Sequence, residues 1–322
     1  MKIIILTLPL NENYGGILQT IALQKYLKNE GHNAKTFRYI PIIEGASRIK
    51  TYINKLRWLF YHIKNRYCPC NFIAKRLKAK AHFYRSFLTA NLDETPMCYR
   101  ISQIANNRKW ETDSWIVGSD QVWRFSTGNN SAFWMLDFIP KKIRRNSISY
   151  AASFGSCQLN INDEKIHLLS RYAQEFKTLS VRETQGCILC QEHFHVEAQV
   201  VPDPTLLLTA GDYIKMSEAA GKNWPKDYKG QYIAYYILDM TPEKWKHLEK
   251  LSIKGGMPLV DMMYNRLLDS QQILRRPIEQ WLDVIRNAHY VVTDSFHGTV
   301  FSIIFNKSFS VFNNKHRGSD RF

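Results

Sequence analysis

The residues best suited to chemistry gather in four short motifs, each at the end of an apolar run. Val291-Val292-Thr293-Asp294-Ser295-Phe296-His297-Gly298-Thr299 brings a histidine with small and polar neighbours to the start of an apolar helical pattern. An imidazole there can move a proton near neutral pH, and the free N–H groups of a helix start favour an anion. The plainer alternative is a structural histidine. In Ser180-Val181-Arg182-Glu183, the Arg182 guanidinium can offer a planar fork to a carboxylate or phosphate, or form a salt bridge to Glu183 or Asp203. Trp115-Ile116-Val117-Gly118-Ser119-Asp120-Gln121 sets a hydroxyl, a carboxylate and an amide together. Asp120 can orient or deprotonate a hydroxyl, or cap the next turn. In Asn11-Glu12-Asn13-Tyr14-Gly15-Gly16 the two glycines allow a sharp turn with backbone N–H groups close to a ligand, or a tight turn without one. Ala152-Ser153-Phe154-Gly155-Ser156 and Val201-Pro202-Asp203-Pro204-Thr205 end two further apolar runs. No G-x-G-x-x-G, G-x-S-x-G, P-loop, H-E-x-x-H or kinase motif set occurs.

Apolar runs alternating with helical patterns must position these motifs. The patterning predicts strands at 2–8, 34–39, 114–117, 147–151, 178–181, 199–201, 232–238, 258–261, 290–293 and 309–312, with helices at 17–29, 163–176, 183–192, 242–251, 278–287 and 298–306. Apolar strands each followed by a helix argue an α/β chain with parallel sheets covered on both faces. At 322 residues the chain holds two such domains. The break is expected after Pro202-Asp203-Pro204, with 211–230 reading as a linker-like stretch, giving units 1–208 and 209–322. Ligands bind beyond the carboxyl ends of parallel strands, so the cleft between two sheets is the expected site.

Hydrophobic residues at 45% and charged ones at 22% exclude a disordered, collagen-like or coiled-coil chain. The longest apolar runs fall far short of a membrane span, and residues 1–10 lack the small-residue cleavage site of a secretory signal. A soluble, cytoplasmic protein is expected. Forty-four basic against 28 acidic residues give +16. Between Gly45 and Leu92 there is no Asp or Glu, but there are 11 Lys and Arg residues, so the excess is concentrated and points to an anionic partner. Residues 45–100 read as an insertion. Ile49, Ile53, Leu56, Leu59, Phe60 and Ile63 recur at helical spacing among basic residues, which suits an anionic membrane surface or a helical hairpin packed on its own domain. No nucleic-acid motif accompanies the charge. Six cysteines do not make a disulfide scaffold in a chain of this length. Cys187, Cys190, His193 and His195 crowd too closely for zinc-finger spacing, so buried helical cysteines and no metal are expected.

Taken in order, Asn13-Tyr14-Gly15-Gly16 with Leu18-Gln19 and Ala22-Leu23, Gly118-Ser119-Asp120-Gln121-Val122-Trp123, Val181-Arg182-Glu183, Asp203-Pro204-Thr205 and Asp294-Ser295-Phe296-His297-Gly298 resemble the polysaccharide pyruvyl transferase family over nearly the whole chain. The resemblance implies a glycosyltransferase-B-like fold of two facing Rossmann-like domains, with the acceptor on the first and the donor on the second. It implies transfer of the enolpyruvyl unit of phosphoenolpyruvate, a donor substrate rather than a cofactor, onto two hydroxyls of a sugar. The acceptor would be a cell-surface polysaccharide or its lipid-linked precursor, and the enzyme would work at the inner face of the membrane. Under the resemblance His297 is the acid, Arg182 the anion clamp, and Asp120 a base or hydroxyl-orienting group. The donor side would comprise Arg182, Ser295, Phe296, His297, Gly298, Thr299 and Arg317, and the acceptor side Asn13, Tyr14, Gly15, Gly16, Ser119, Asp120 and Gln121. Many members carry arginine where Ser295 stands, leaving a cationic place for Arg182, Lys315 or Arg317 to fill, or a different donor. The fold would also need a helix returning to the first domain, so the sequence is expected to continue past Phe322. Two other readings fit the residues: a nucleotide-sugar glycosyltransferase of the same architecture, and a non-catalytic envelope-polymer assembly protein held at the membrane by residues 45–92.

Overall fold

The computed structural model describes residues 1–10, 13–39, 84–98, 104, 111–125, 131–218, 231–266 and 273–313. The run Lys2–Leu6 forms β1 at the centre of a parallel sheet, flanked by β2 (Asn33–Thr36) and β3 (Ser114–Val117), with β4 (Ile148–Ser149) beyond β3. Register is set by apolar partners such as Ile3 with Ala34 and Ile5 with Ile116. Bridges from Ile148 to Thr178 and Ala152 to Val181 carry the sheet on to β5 (Leu179–Val181) and β6 (Ala198–Val200). The strand at 147–151 pairs over two residues only, because Ala151 turns to a left-handed φ of 49° and ends the pleat.

A second parallel sheet, in the order β12-β11-β7-β8, uses β7 (Ile233–Tyr236), β8 (Leu259–Asp261), β11 (Tyr290–Thr293) and β12 (Ser308–Val311). Between β8 and β11 lies an antiparallel hairpin, β9 (Tyr264–Arg266) and β10 (Ile273–Arg275), with Arg275 over the Tyr14 ring at 5.0 Å. The helices are α1 (Tyr14–Asn29), α2 (Lys141–Arg144), α3 (Asp163–Ala173), α4 (Thr184–Leu189), α5 (Ala210–Glu218), α6 (Pro242–Gly255), α7 (Ile278–Asn287) and α8 (Phe296–Ile304). No helix among the described residues is long and apolar enough to cross a membrane.

Helix α1 is buried on every side from Tyr14 to Gln24, which explains its apolar composition all round. Leu23 meets β1 through Ile3 and Ile5, while Tyr14, Ile17, Leu18 and Ile21 share a core with Tyr213, Trp281 and Phe301 of the second half. The Tyr14 and Trp281 rings stack at 5.5 Å, and the Tyr14 hydroxyl donates to the Arg276 carbonyl at 2.7 Å. Each such aliphatic or aromatic side chain contributes about 1.5–3 kcal/mol by leaving water.

Two expectations change here. The first part of the linker-like stretch is helical: α5 occupies Ala210–Glu218, capped by Thr209 and Asp212, and 219–230 lie outside the described residues. Tyr213 and Met216, one turn apart, bury its inner face, and the Tyr213 hydroxyl donates to the Thr205 carbonyl at 2.8 Å. The glycine sits in the first turn, where its low helix propensity matters little. The close of the basic insertion is also core rather than surface. Residues 84–91 are helical, and Tyr84, Phe87, Leu88 and Leu92 join the Tyr14 core. The Gln24 amide makes two bonds of 2.8 Å to the Asp93 backbone. The helical pattern at 49–63 lies outside the described residues.

Lys25 of α1 and Asp212 of α5 form an ion pair at 2.7 Å that joins the two halves. The Lys25 ammonium and the Thr209 hydroxyl hold the Asp212 carboxyl down at about 2, below its ordinary value. A depressed carboxyl stabilises the fold above its unfolded-state pKa, near 4, and loses that contribution as pH falls toward 2. The partly exposed pair is worth at most about 1 kcal/mol. Lys25→Met is therefore expected to lower the urea midpoint at pH 6 and to leave it nearly unchanged at pH 2.

Candidate functional site

Strand β11 delivers the key turn. Thr293 donates from its hydroxyl to the Tyr236 carbonyl at 2.8 Å and accepts from the Ser295 N–H at 3.0 Å. The buried Asp294 carboxylate receives the Leu238 and Asp239 N–H groups and the Lys244 ammonium, which ties the end of β7 to the end of β11. Ser295 then caps α8, accepting from Gly298 N–H at 3.5 Å. A Cβ at Gly298 would lie 2.2 Å from Thr293 Oγ1, so only glycine lets the helix start press this close to the strand. Helix α8 begins at Phe296, two residues earlier than the pattern suggests, and places the buried His297 in its first turn.

His297 rests against the start of α1. A Cβ at Gly15 would fall 2.1 Å from both Cγ and Nδ1 of the imidazole. The opening motif therefore acts differently from expectation. Tyr14, Gly15 and Gly16 form the first turn of α1, and none of the two glycines' positive-φ freedom is used. What matters is their lack of a side chain where the imidazole and Asn13 approach. Tyr14 is fully buried with its hydroxyl spent on the Arg276 carbonyl, which corrects its assignment to an acceptor surface.

The imidazole faces Asp203, with 3.7 Å between Nε2 and Oδ2. Asp203 is buried and divides its work between its two oxygens. Oδ1 accepts from the N–H and hydroxyl of Thr205, at 3.0 and 2.8 Å, starting the helical turn Pro204–Leu207. Oδ2 accepts from Arg182 Nη1 at 3.0 Å and Ser119 Oγ at 3.1 Å. Burial alone would raise this carboxyl's pKa, but His297, the Arg182 guanidinium and the Thr205 N–H outweigh it and hold the group well below the carboxylate range.

Arg182, at the end of β5, is wholly enclosed. Its Nε donates to Glu183 Oε1 at 3.2 Å, Nη2 stands 4.0 Å from Asp120 Oδ1, and Phe296 lies under the guanidinium at 4.2 Å. Burial works against its charge, but Asp203, Asp120 and Glu183 more than compensate and raise its pKa. The expected two-point clamp for a donor anion is thus corrected: Nε and Nη1 already serve carboxylates, and Nη2 alone of the buried guanidinium nitrogens makes no hydrogen bond. His297 Nε2 is likewise buried without a hydrogen bond.

Asp120, at a left-handed φ of 67°, does not cap a helix; its Oδ2 accepts from Asn13 Nδ2 at 3.0 Å. Ser119 is buried and spent on Asp203 and the Ala151 carbonyl, and its N–H is held by Gln19 Oε1. Gln121 turns away to pair with Arg124. Thr299 donates to the Ser295 carbonyl at 3.2 Å. Lys315 and Arg317 lie outside the described residues. The structure therefore unites Asn13, Gly15, Ser119, Asp120, Arg182, Phe296 and His297 around Asp203, which the sequence offers as a salt-bridge partner of Arg182 but not as a site residue. The available signal was an aspartate before proline at a strand end, an N-cap pattern that stood beside two other strand-end motifs. Cys187 and Cys190 behave as packing groups: Cys187 donates to the Ala198 carbonyl, and burial pushes the Cys190 thiol up to about 12.

Chemically, the cluster offers one buried acid–base group, one buried N–H donor and carboxylates that can receive hydroxyls. The family model described as polysaccharide pyruvyl transferase matches residues 13–316, nearly the whole chain. No curated protein matches. Among solved structures, a putative UDP-N-acetylglucosamine 2-epimerase from Listeria monocytogenes aligns with TM-score 0.50 and 9% identity, over 99% of this chain and 84% of its own. UDP-GlcNAc 2-epimerase from Neisseria meningitidis aligns at 0.45 and 9%, over 97% and 82%. The E. coli heptosyltransferase WaaC aligns at 0.39 and 12%, over 97% and 88%. At such identities the likeness to the Listeria protein concerns the fold alone: paired parallel α/β sheets of the glycosyltransferase-B type.

Proposed function

Because the chain belongs to the polysaccharide pyruvyl transferase family and is therefore a transferase, we propose that it moves the pyruvyl unit of phosphoenolpyruvate onto two hydroxyls of a glycan. The observation that carries this reading is the seat of His297: a buried imidazole at the junction of both halves, pressed on Gly15 and facing Asp203. The unit 209–322 would hold the donor and 1–208 the acceptor. The donor lies at the start of α8, where the positive end of the helix dipole beside Phe296 and His297 favours its anionic end, the N–H groups of Ser295, Gly298 and Thr299 being bonded within the turn. Arg182 adds its remaining N–H and Arg317 further positive charge.

Phosphoenolpyruvate is an enol phosphate. His297 protonates its methylene carbon, which becomes a methyl group and leaves C2 electrophilic. One sugar hydroxyl, oriented by Asp120 and Asn13, adds to C2 and loses its proton to the Asp120 carboxylate. The C2–O bond to phosphate breaks, and the second hydroxyl closes the ring as its proton passes to the phosphate. One donor and one diol give one ketal and one phosphate. General acid help of this kind contributes roughly 10²–10⁴-fold. We place the reaction on a cell-surface polysaccharide or its lipid-linked precursor, in the cytoplasm or at the inner membrane face, with the basic stretch ahead of the buried Tyr84, Phe87, Leu88 and Leu92 as the membrane contact.

Phosphate release from phosphoenolpyruvate, measured across a panel of glycans, tests the reading. Release that requires a glycan and falls at least 100-fold in His297→Ala is expected. A second reading rests on Ser295, whose hydroxyl is spent on Gly298 and brings no cation to the start of α8. Absence of release, together with thermal stabilisation by a nucleotide sugar but not by phosphoenolpyruvate, would favour a nucleotide-sugar donor.

A further inference from the structure

We infer that Asp203 is the positioning residue of this site, a carboxylate whose Oδ2 keeps the His297 proton on Nε2 and fixes Arg182 and Ser119 around it. The inference deepens the pyruvyl-transfer reading and rests on it for the role of His297. A purely structural Asp203 would need only its cap on the Pro204–Leu207 turn, and Oδ1 alone provides that through Thr205. Oδ2 is turned the other way, to Arg182 Nη1, Ser119 Oγ and, at 3.7 Å, His297 Nε2. An imidazole lone pair directed at a carboxylate oxygen is repelled, whereas an N–H is attracted, so the facing oxygen selects the tautomer with hydrogen on Nε2. At 3.7 Å the N–H is oriented but not tied up in a hydrogen bond. It remains able to leave for a substrate carbon.

The charged groups around the ring agree. The 203–207 turn presents Asp203; the end of β5 presents Arg182 and Glu183, with Asp120 beside them. The first turn of α1 presents only Gly15, and the neighbour on α8 is the Phe296 ring. Asp120 and Glu183 approach the Arg182 guanidinium, at 4.0 and 3.2 Å. Asp203 is the member of this set that faces Nε2 within 4 Å.

Asp203→Asn separates the two jobs, because an amide oxygen can still cap Thr205 while the charge near Nε2 is gone. With the family reaction as readout, kcat is expected to fall at least 10-fold while the KM for phosphoenolpyruvate stays about unchanged. Thr205→Ala, which removes only an Oδ1 bond, is expected to lower stability and leave kcat in place. An unchanged kcat in Asp203→Asn overturns the assignment. Nitrogen-15 NMR of the wild-type imidazole gives a readout independent of turnover and of the variant's folding. A protonated Nε2 in neutral, ligand-free protein supports the role of Asp203, and an unprotonated Nε2 overturns it even if the enzyme uses another donor. Wild-type protein without phosphate release but with protonated Nε2 would sink the pyruvyl reading and leave the Asp203–His297 pairing standing.

Discussion

Gly15→Ala is expected to lower turnover by about 100-fold or more while the protein still folds. Alanine in a helix is ordinarily favoured over glycine by about 1 kcal/mol, so propensity alone argues for a gain. The steric term decides otherwise. The new Cβ would sit 2.1 Å from Cγ and Nδ1 of His297, and these are ring atoms near the root of the side chain rather than a flexible tip. The imidazole must swing away from Asp203, and an ångström of misplacement at a reacting group can cost about 10²-fold. Gly16→Ala provides the contrast. Its Cβ would meet the Asn13 side-chain amide at 2.9 Å, a terminal group that can move by a few tenths of an ångström. The loss there should be several-fold. Equal effects from the two substitutions would show that the seat of His297 on α1 has no special importance.

Arg182→Ala is expected to destabilise the fold by about 3–5 kcal/mol, a large share of the roughly 5–15 kcal/mol available to a typical protein. Removing the guanidinium leaves Asp203, Glu183 and Asp120 facing one another with their common cation gone. It also takes the cation off the Phe296 ring. The pH dependence should reverse in sign. In the native protein Asp203 has a depressed pKa, so its contribution is present above the unfolded-state pKa and is lost on acidification. In the variant the crowded acids bind protons more readily when folded than when unfolded, and stability rises as pH falls toward their raised pKa values. Urea unfolding at pH 8 reads the loss, and the change in stability between pH 6 and pH 3 reads the sign. A loss below about 1 kcal/mol at pH 8 would mean that the buried cluster is not held together by Arg182.

The alternating pattern of the sequence made the paired parallel sheets legible, because each buried strand is a short apolar run and each covering helix a longer periodic one. Ser114–Val117, Tyr290–Thr293 and Ile278–Asn287 fall where the pattern puts them. His297, Arg182 and Asp120 were legible as chemistry because they end such runs. The Arg182 salt bridge to Glu183 or Asp203 was legible as an alternative, and both pairs form, but the meeting of Asp203 with Ser119 from 84 residues away and with His297 was not, since no local period encodes it. The glycines at 15 and 16 illustrate the same limit. Local rules attribute a glycine pair to a turn, whereas these two clear space for side chains from elsewhere. Tyr14 misled for a related reason: a tyrosine beside a site motif looks available to a ligand, and only the fold reveals Trp281 stacked on it and the Arg276 carbonyl on its hydroxyl. Ala210–Glu218 was obscured by its glycine, although Tyr213 and Met216 keep helical spacing.

Proton delivery by His297 to the methylene carbon of the donor is the step on which the rest depends. The most direct measurement is to run the reaction with phosphoenolpyruvate and an active glycan in deuterium oxide and to examine the product's pyruvyl group by NMR. A ketal methyl carrying one deuterium, formed by the wild-type protein and lost in His297→Ala, is the expected result. A product that retains an unsaturated methylene group, or a deuterated methyl formed equally well without His297, would contradict it.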